Sequence, residues 1–72
     1  MKKIKKIKIK LNGKPIFLPK GTSVYTVIKN NKLQPNKIAI EINNEIINKK
    51  KIDRIFLKND DRIEIVHFIG GG

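Results

Sequence analysis

The dipeptide Asn12-Gly13, set between two short alternating runs, constrains this chain more than any other feature. Ile7, Ile9 and Leu11 alternate with Lys6, Lys8 and Lys10, a period of two that marks a half-buried strand. Beyond the dipeptide, Ile16 and Leu18 point one way and Phe17 the other. Asn-Gly accepts the two positive φ angles that a two-residue hairpin turn needs. Residues 6–18 are therefore expected to form a β-hairpin. Ile4 falls out of phase with it, so residues 1–5 read as a frayed basic start.

Pro19-Lys20-Gly21 breaks the pattern, and Thr22 or Ser23 can cap a helix with its hydroxyl. Val24, Val27 and Ile28 then form one apolar helical stripe. Their β-branching lowers helix propensity, which predicts a short helix ending near Asn30-Asn31. Leu33 should close the core edge, and Pro35 blocks further helix. Ile38, Ile40 and Ile42 alternate as a strand, Asn43-Asn44 suits a tight turn, and 45–47 returns. Asn48 to Lys51 is polar and reads as a solvated loop. Ile52 and Ile55 suit a short helical turn, with Phe56 and Leu57 expected at the core. After a turn at Asn59-Asp60-Asp61, residues 63–69 form the last strand. Ile63, Ile65, His67 and Ile69 share one face, and Glu64, Val66 and Phe68 the other. One helix on one face of a small mixed sheet of four to five strands is an α+β design. With 72 residues and no linker, the expectation is one domain over 1–72.

Composition excludes more than it assigns. There is no cysteine, so disulfides, thiolate metal sites and cysteine nucleophiles are out. The single histidine, His67, has no carboxylate cluster around it in sequence, so no metal site is expected. No nucleophile–base pair or Gly-rich phosphate loop points to an enzyme. No apolar run approaches the roughly 20 residues that span a bilayer, and no apolar segment follows the basic start. A cytoplasmic protein is expected. The net charge of +11 would attract anions. Yet Lys, Ile and Asn, abundant together here, share A/T-rich codons, and only Arg54 and Arg62 are arginine. Drift in composition accounts for most of the charge on this reading.

The glycines are placed informatively. Three of the five are the last three residues, Gly70, Gly71 and Gly72. Such a run cannot pack and carries high backbone entropy, so 70–72 reads as a flexible tail on an ordered body. A chain end without side chains can enter a narrow enzyme channel. The α-carboxylate of Gly72 is a poor electrophile. Transfer of an adenylyl group from ATP makes it a mixed anhydride, and a persulfide or sulfide can then displace AMP to leave a thiocarboxylate. The protein is then a cosubstrate, and the catalysis belongs to its partner.

The block from Leu57 through Asn59-Asp60-Asp61-Arg62 and Val66-His67-Phe68-Ile69 to Gly72 closely resembles the C-terminal third of the ThiS family. Leu11-Asn12-Gly13-Lys14 and Asn43-Asn44-Glu45-Ile46-Ile47 resemble it too. The likeness covers residues 8–72 and is weakest in the helix. It implies the ubiquitin-like β-grasp fold of the MoaD/ThiS superfamily. It also implies adenylation of Gly72 by a ThiF-type enzyme, conversion to a thiocarboxylate, and sulfur delivery to the thiazole synthase ThiG for thiamine. ATP would be used by the partner, with no cofactor bound by this chain. By position, Gly72 is the sulfur-bearing residue, Gly70 and Gly71 its slender lead, and Val66, Phe68 and Ile69 candidate partner contacts. The chain departs from the family in its extra basic start, in Asn59 where Asp is frequent, and in Asp60 where Gly is common.

Two other classes stay open on sequence. MoaD-like and tRNA-thiolation carriers use the same chemistry, but MoaD is usually longer, and Val66-His67-Phe68 favours ThiS. A basic nucleic-acid-binding module would need aromatics among its lysines. Lys6, Lys8, Lys10 and Lys14 are read as sharing the outer side of the hairpin, with Phe17, Tyr25, Phe56 and Phe68 apart from them, so nucleic acid is not expected as a partner.

Overall fold

The computed structural model describes residues 5–68. The expectations for residues 1–4, Ile69, Gly70, Gly71 and Gly72 lie outside the described residues.

The first hairpin forms as its pattern requires. Strand β1, Lys6–Leu11, pairs antiparallel with β2, Lys14–Pro19. Asn12 and Gly13 take φ of 49° and 83°, the double left-handed turn that matches strand twist. Lys5 is not frayed: its carbonyl accepts from the Lys20 amide at 2.7 Å, adding a rung to the hairpin. Helix α1, Val24–Asn30, starts at Ser23, whose Oγ accepts from the Thr26 amide. It buries Val24, Val27 and Ile28. Its end is a Schellman motif: the Leu33 amide donates to Ile28 O and the Lys32 amide to Lys29 O. Lys32 holds the left-handed position there, at φ 56°, where glycine is usual.

A 3-10 turn over Pro35–Lys37, which the sequence reading did not include, leads into β3, Ile38–Ile42. Asn43 and Asn44, at φ 51° and 71°, turn the chain into β4, Glu45–Ile46. A 3-10 helix then spans Lys49–Arg54, capped by the Asn48 side chain, and buries Ile52. It begins inside the segment read as solvated loop. Residues 55–57 are extended along the start of α1: Val24 N donates to Ile55 O, Leu57 N donates to Thr22 O, and Phe56 bridges Ser23. Extended backbone alternates its side chains. Leu57 is therefore buried while Phe56 faces outward, 57% exposed, so Phe56 does not reach the core as expected.

Strand β5, Arg62–His67, completes a five-stranded sheet in the order β2-β1-β5-β3-β4. It runs parallel to β1 and antiparallel to β3. A mixed sheet with parallel central strands, one hairpin on each side and a single α-helix across one face is the β-grasp arrangement. Ile9, Ile38, Ile40 and Ile63 on the sheet meet Val24, Val27 and Ile28 of the helix, and all are buried. At roughly 1.5–3 kcal/mol for each fully buried branched side chain, this layer is what stabilises so short a chain.

Candidate functional site

Strand parity divides the sheet into an inner face, covered by α1, and an outer face that no element among the described residues covers. On β5 the inner residues Ile63 and Ile65 are buried, whereas Glu64 and Val66 face outward. The register places Ala39 opposite Val66, Glu41 opposite Glu64, and Ile46 opposite Glu41. Val66 and Ile46 are 56% and 79% exposed. The far half of the outer face thus carries Val66, Ala39 and Ile46 around two carboxylates, Glu41 and Glu64. Directly opposed like charges weaken a cross-strand pair.

Phe68 lies one residue past β5, its amide donating to Lys37 O at 2.9 Å. Its ring is 48% exposed. Lys49 reaches it: the ammonium stands 5.0 Å from the ring centroid and donates to Ile38 O at 2.7 Å. Lys49 is half-buried, which corrects the reading of Lys49-Lys50-Lys51 as a uniformly solvated run. No sequence signal separates the three, because the acceptor is a distant backbone carbonyl. Val66 and Phe68, both candidate contacts, therefore sit at the C-terminal end of the central strand, four residues from Gly72 in the case of Phe68. His67 is exposed beside them.

The near half of the outer face is cationic. Lys8 pairs across the hairpin with Phe17, which is 67% exposed, and Lys6 and Lys10 flank them. Lys14 instead partners Leu11, on the opposite face. The expected grouping is corrected on both counts: Phe17 belongs with Lys6, Lys8 and Lys10, and Lys14 does not. A groove beside this half is lined by Lys8, Ile9, Lys10, Asp60 and Arg62. It lies at the start of β5, about 20 Å along the strand from Phe68 at 3.3 Å per residue. Among the described residues, no three His, Cys, Asp or Glu side chains are grouped to hold a metal ion. Among them, too, no helix is long and apolar enough to cross a membrane.

These features define a small ubiquitin-like β-grasp protein. The crystal structure of the thiamine biosynthesis protein ThiS from Geobacter metallireducens superposes with a TM-score of 0.78 at 26% identity, covering 92% of this chain and all (100%) of that one. The profile of the ThiS family matches residues 5–72. The sulfur carrier protein ThiS of Bacillus subtilis is 37% identical over 65 residues, 89% of this chain and 98% of that one. A thiazole synthase of Magnetococcus marinus is 38% identical over 66 residues, which are 92% of this chain but only 20% of that protein, so the chain spans about a fifth of that relative. The chain belongs to the ThiS family of sulfur carrier proteins.

Proposed function

We propose that this protein carries sulfur as a thiocarboxylate on Gly72 and delivers it for thiazole formation in thiamine biosynthesis. A ThiF-like adenylating enzyme joins the Gly72 carboxylate oxygen to the α-phosphorus of ATP and releases pyrophosphate. A sulfur nucleophile then attacks the acyl carbon, AMP leaves, and the new C–S bond stores the sulfur. A ThiG-like thiazole synthase passes that sulfur to its carbonyl substrate: the acyl C–S bond breaks, the oxygen lost by that substrate (or one from water) takes the sulfur's place on the acyl carbon, and the free carboxylate returns. The work takes place in the cytoplasm. The carrying observation is the end of β5. A rung from Phe68 to Lys37 ties the body four residues before Gly72, next to the open patch of Val66, Ala39 and Ile46. Family membership supports the chemistry, and a thiazole synthase with a segment like this chain supports the acceptor. Both favour this reading over the MoaD-like and tRNA-thiolation alternatives.

The test is intact-mass spectrometry after incubation with a ThiF-like enzyme, ATP and a sulfur donor. The expected gain equals one sulfur in place of one oxygen, confined to the C-terminal fragment. Deleting Gly72 should abolish the gain and leave the unfolding midpoint unchanged. An active enzyme that adds no mass to the intact chain refutes the proposal.

One observation favours a second reading. Phe17 among Lys6, Lys8 and Lys10 combines a stacking ring with cations, as single-stranded nucleic acid requires. Micromolar binding of a labelled oligonucleotide that survives physiological salt and is lost in Phe17→Ala would support it. Binding that vanishes at modest salt marks counterion attraction alone.

A further inference from the structure

We infer that Lys49 is a positioning residue for the carrier's chain end, joining the open edge of β3 to the Phe68 ring and so setting the point from which residues 69–72 start. The inference rests on the reading of Gly72 as the sulfur-bearing residue.

The sheet edge shows why a cation is needed there. Strand β4 has only two residues, and the pairing ends with the Ile47 amide donating to Ile40 O at 2.9 Å. Carbonyls two apart on a strand face the same side, so Ile38 O points to that edge after the partner strand has run out. Lys49 Nζ donates to it at 2.7 Å, taking the place of a missing strand amide. A charge-assisted bond to a half-buried carbonyl is stronger than a neutral one. The same nitrogen lies 5.0 Å from the Phe68 centroid, within cation–π range. Phe68 is thus held twice, by its amide on Lys37 O and by its ring under the ammonium. The Asn48 cap, accepting from the Lys50 amide at 2.9 Å, fixes the turn that aims Lys49 inward. Lys50 and Lys51 are exposed.

A carrier whose reacting atom is at its chain end must order that end on docking. Every residue left free beforehand lowers apparent affinity, and holding Phe68 in place removes one such residue before the partner is met. This acts on docking, so it changes KM and leaves kcat alone.

The test compares Lys49→Met, which keeps an apolar stem, with Lys49→Arg, which keeps charge and donor. Amide hydrogen exchange by NMR on the full chain reads Phe68, with the Ile9 amide as control for global stability. Pyrophosphate release with a ThiF-like enzyme reads KM and kcat. In Lys49→Met, Phe68 should exchange about tenfold faster with Ile9 unchanged, and KM should rise about fivefold at constant kcat. Lys49→Arg should restore both. Unchanged Phe68 exchange in Lys49→Met overturns the clamp. Faster exchange with unchanged KM overturns the positioning role. A wild-type chain that the enzyme does not adenylate defeats the Gly72 reading, and with it the positioning role, while Phe68 exchange still decides the clamp.

Discussion

Replacing Asn12 separates two jobs done by one side chain. Asn12 sits at φ 49° in the first turn, and its Oδ1 accepts from the Ile65 amide at 2.7 Å. That bond matters because the ladder between β1 and β5 stops at Leu11 and Ile63. From Ile65 onward the strand carrying Val66 has, among the described residues, no paired strand on the hairpin side, and the Asn12 carboxamide provides the rung. Asn12→Gly keeps the left-handed turn but leaves the half-buried Ile65 amide without its acceptor, which costs about 1–2 kcal/mol. Greater freedom of the unfolded chain adds about 0.5 kcal/mol. Asn12→Ala loses the same bond and also the carboxamide that lets Asn tolerate the left-handed region, for up to about 1 kcal/mol more. Asn12→Asp keeps both the acceptor and the tolerance for positive φ, and should stay within about 0.5 kcal/mol of the parent. A chain of this length has about 4–11 kcal/mol in total, so a loss of about 2 kcal/mol takes between roughly a fifth and a half of it. Urea unfolding with a shared m-value measures the series, and melting points should fall by about 4–8 °C for each kcal/mol. Equal stability of Asn12→Gly and Asn12→Asp would falsify the reasoning.

Lys32→Gly should stabilise the protein by about 1 kcal/mol, read as a higher melting point, because Lys32 occupies the Schellman position at φ 56°. Ile40→Ala removes a fully buried side chain from the central layer and should cost about 2–5 kcal/mol in urea titration. Val66→Asp changes an exposed position, so its melting point should move little; its KM with a ThiF-like enzyme should rise at least about tenfold, the cost of setting a charge against an apolar contact. An unchanged KM would remove Val66 from the docking surface.

Local features were legible from the residues alone. The Asn12-Gly13 hairpin, the Ser23 cap, the stripe of Val24, Val27 and Ile28, and the Asn43-Asn44 turn each lie within a few residues of their partners. What was not legible depends on distant partners. Alternation put Phe17 opposite in sense to Ile16, but grouping it with the lysines needed the register of Lys8 against Phe17. Phe56 reads as core until the bridge to Ser23 fixes its phase. Lys49 matches its neighbours in the Lys run until Ile38 O is brought beside it. At the site, Val66 and Phe68 could be placed on one strand face, whereas Ala39 and Ile46 joined them only through pairing with β3 and β4. Family likeness carried the chemistry of Gly72, which no periodicity encodes.

The central seat of β5 has a consequence for how the molecule is made. The two hairpins can form early from near-neighbour contacts, but they meet only through a strand whose pairing with β1 joins Lys10 to Arg62. Such far-apart contacts slow the whole transition. The strand that ends at His67 is therefore the keystone of the sheet. A molecule that has not closed its sheet has no assembled outer face, because Val66, Ala39 and Ile46 come together only through the pairing of β5, β3 and β4.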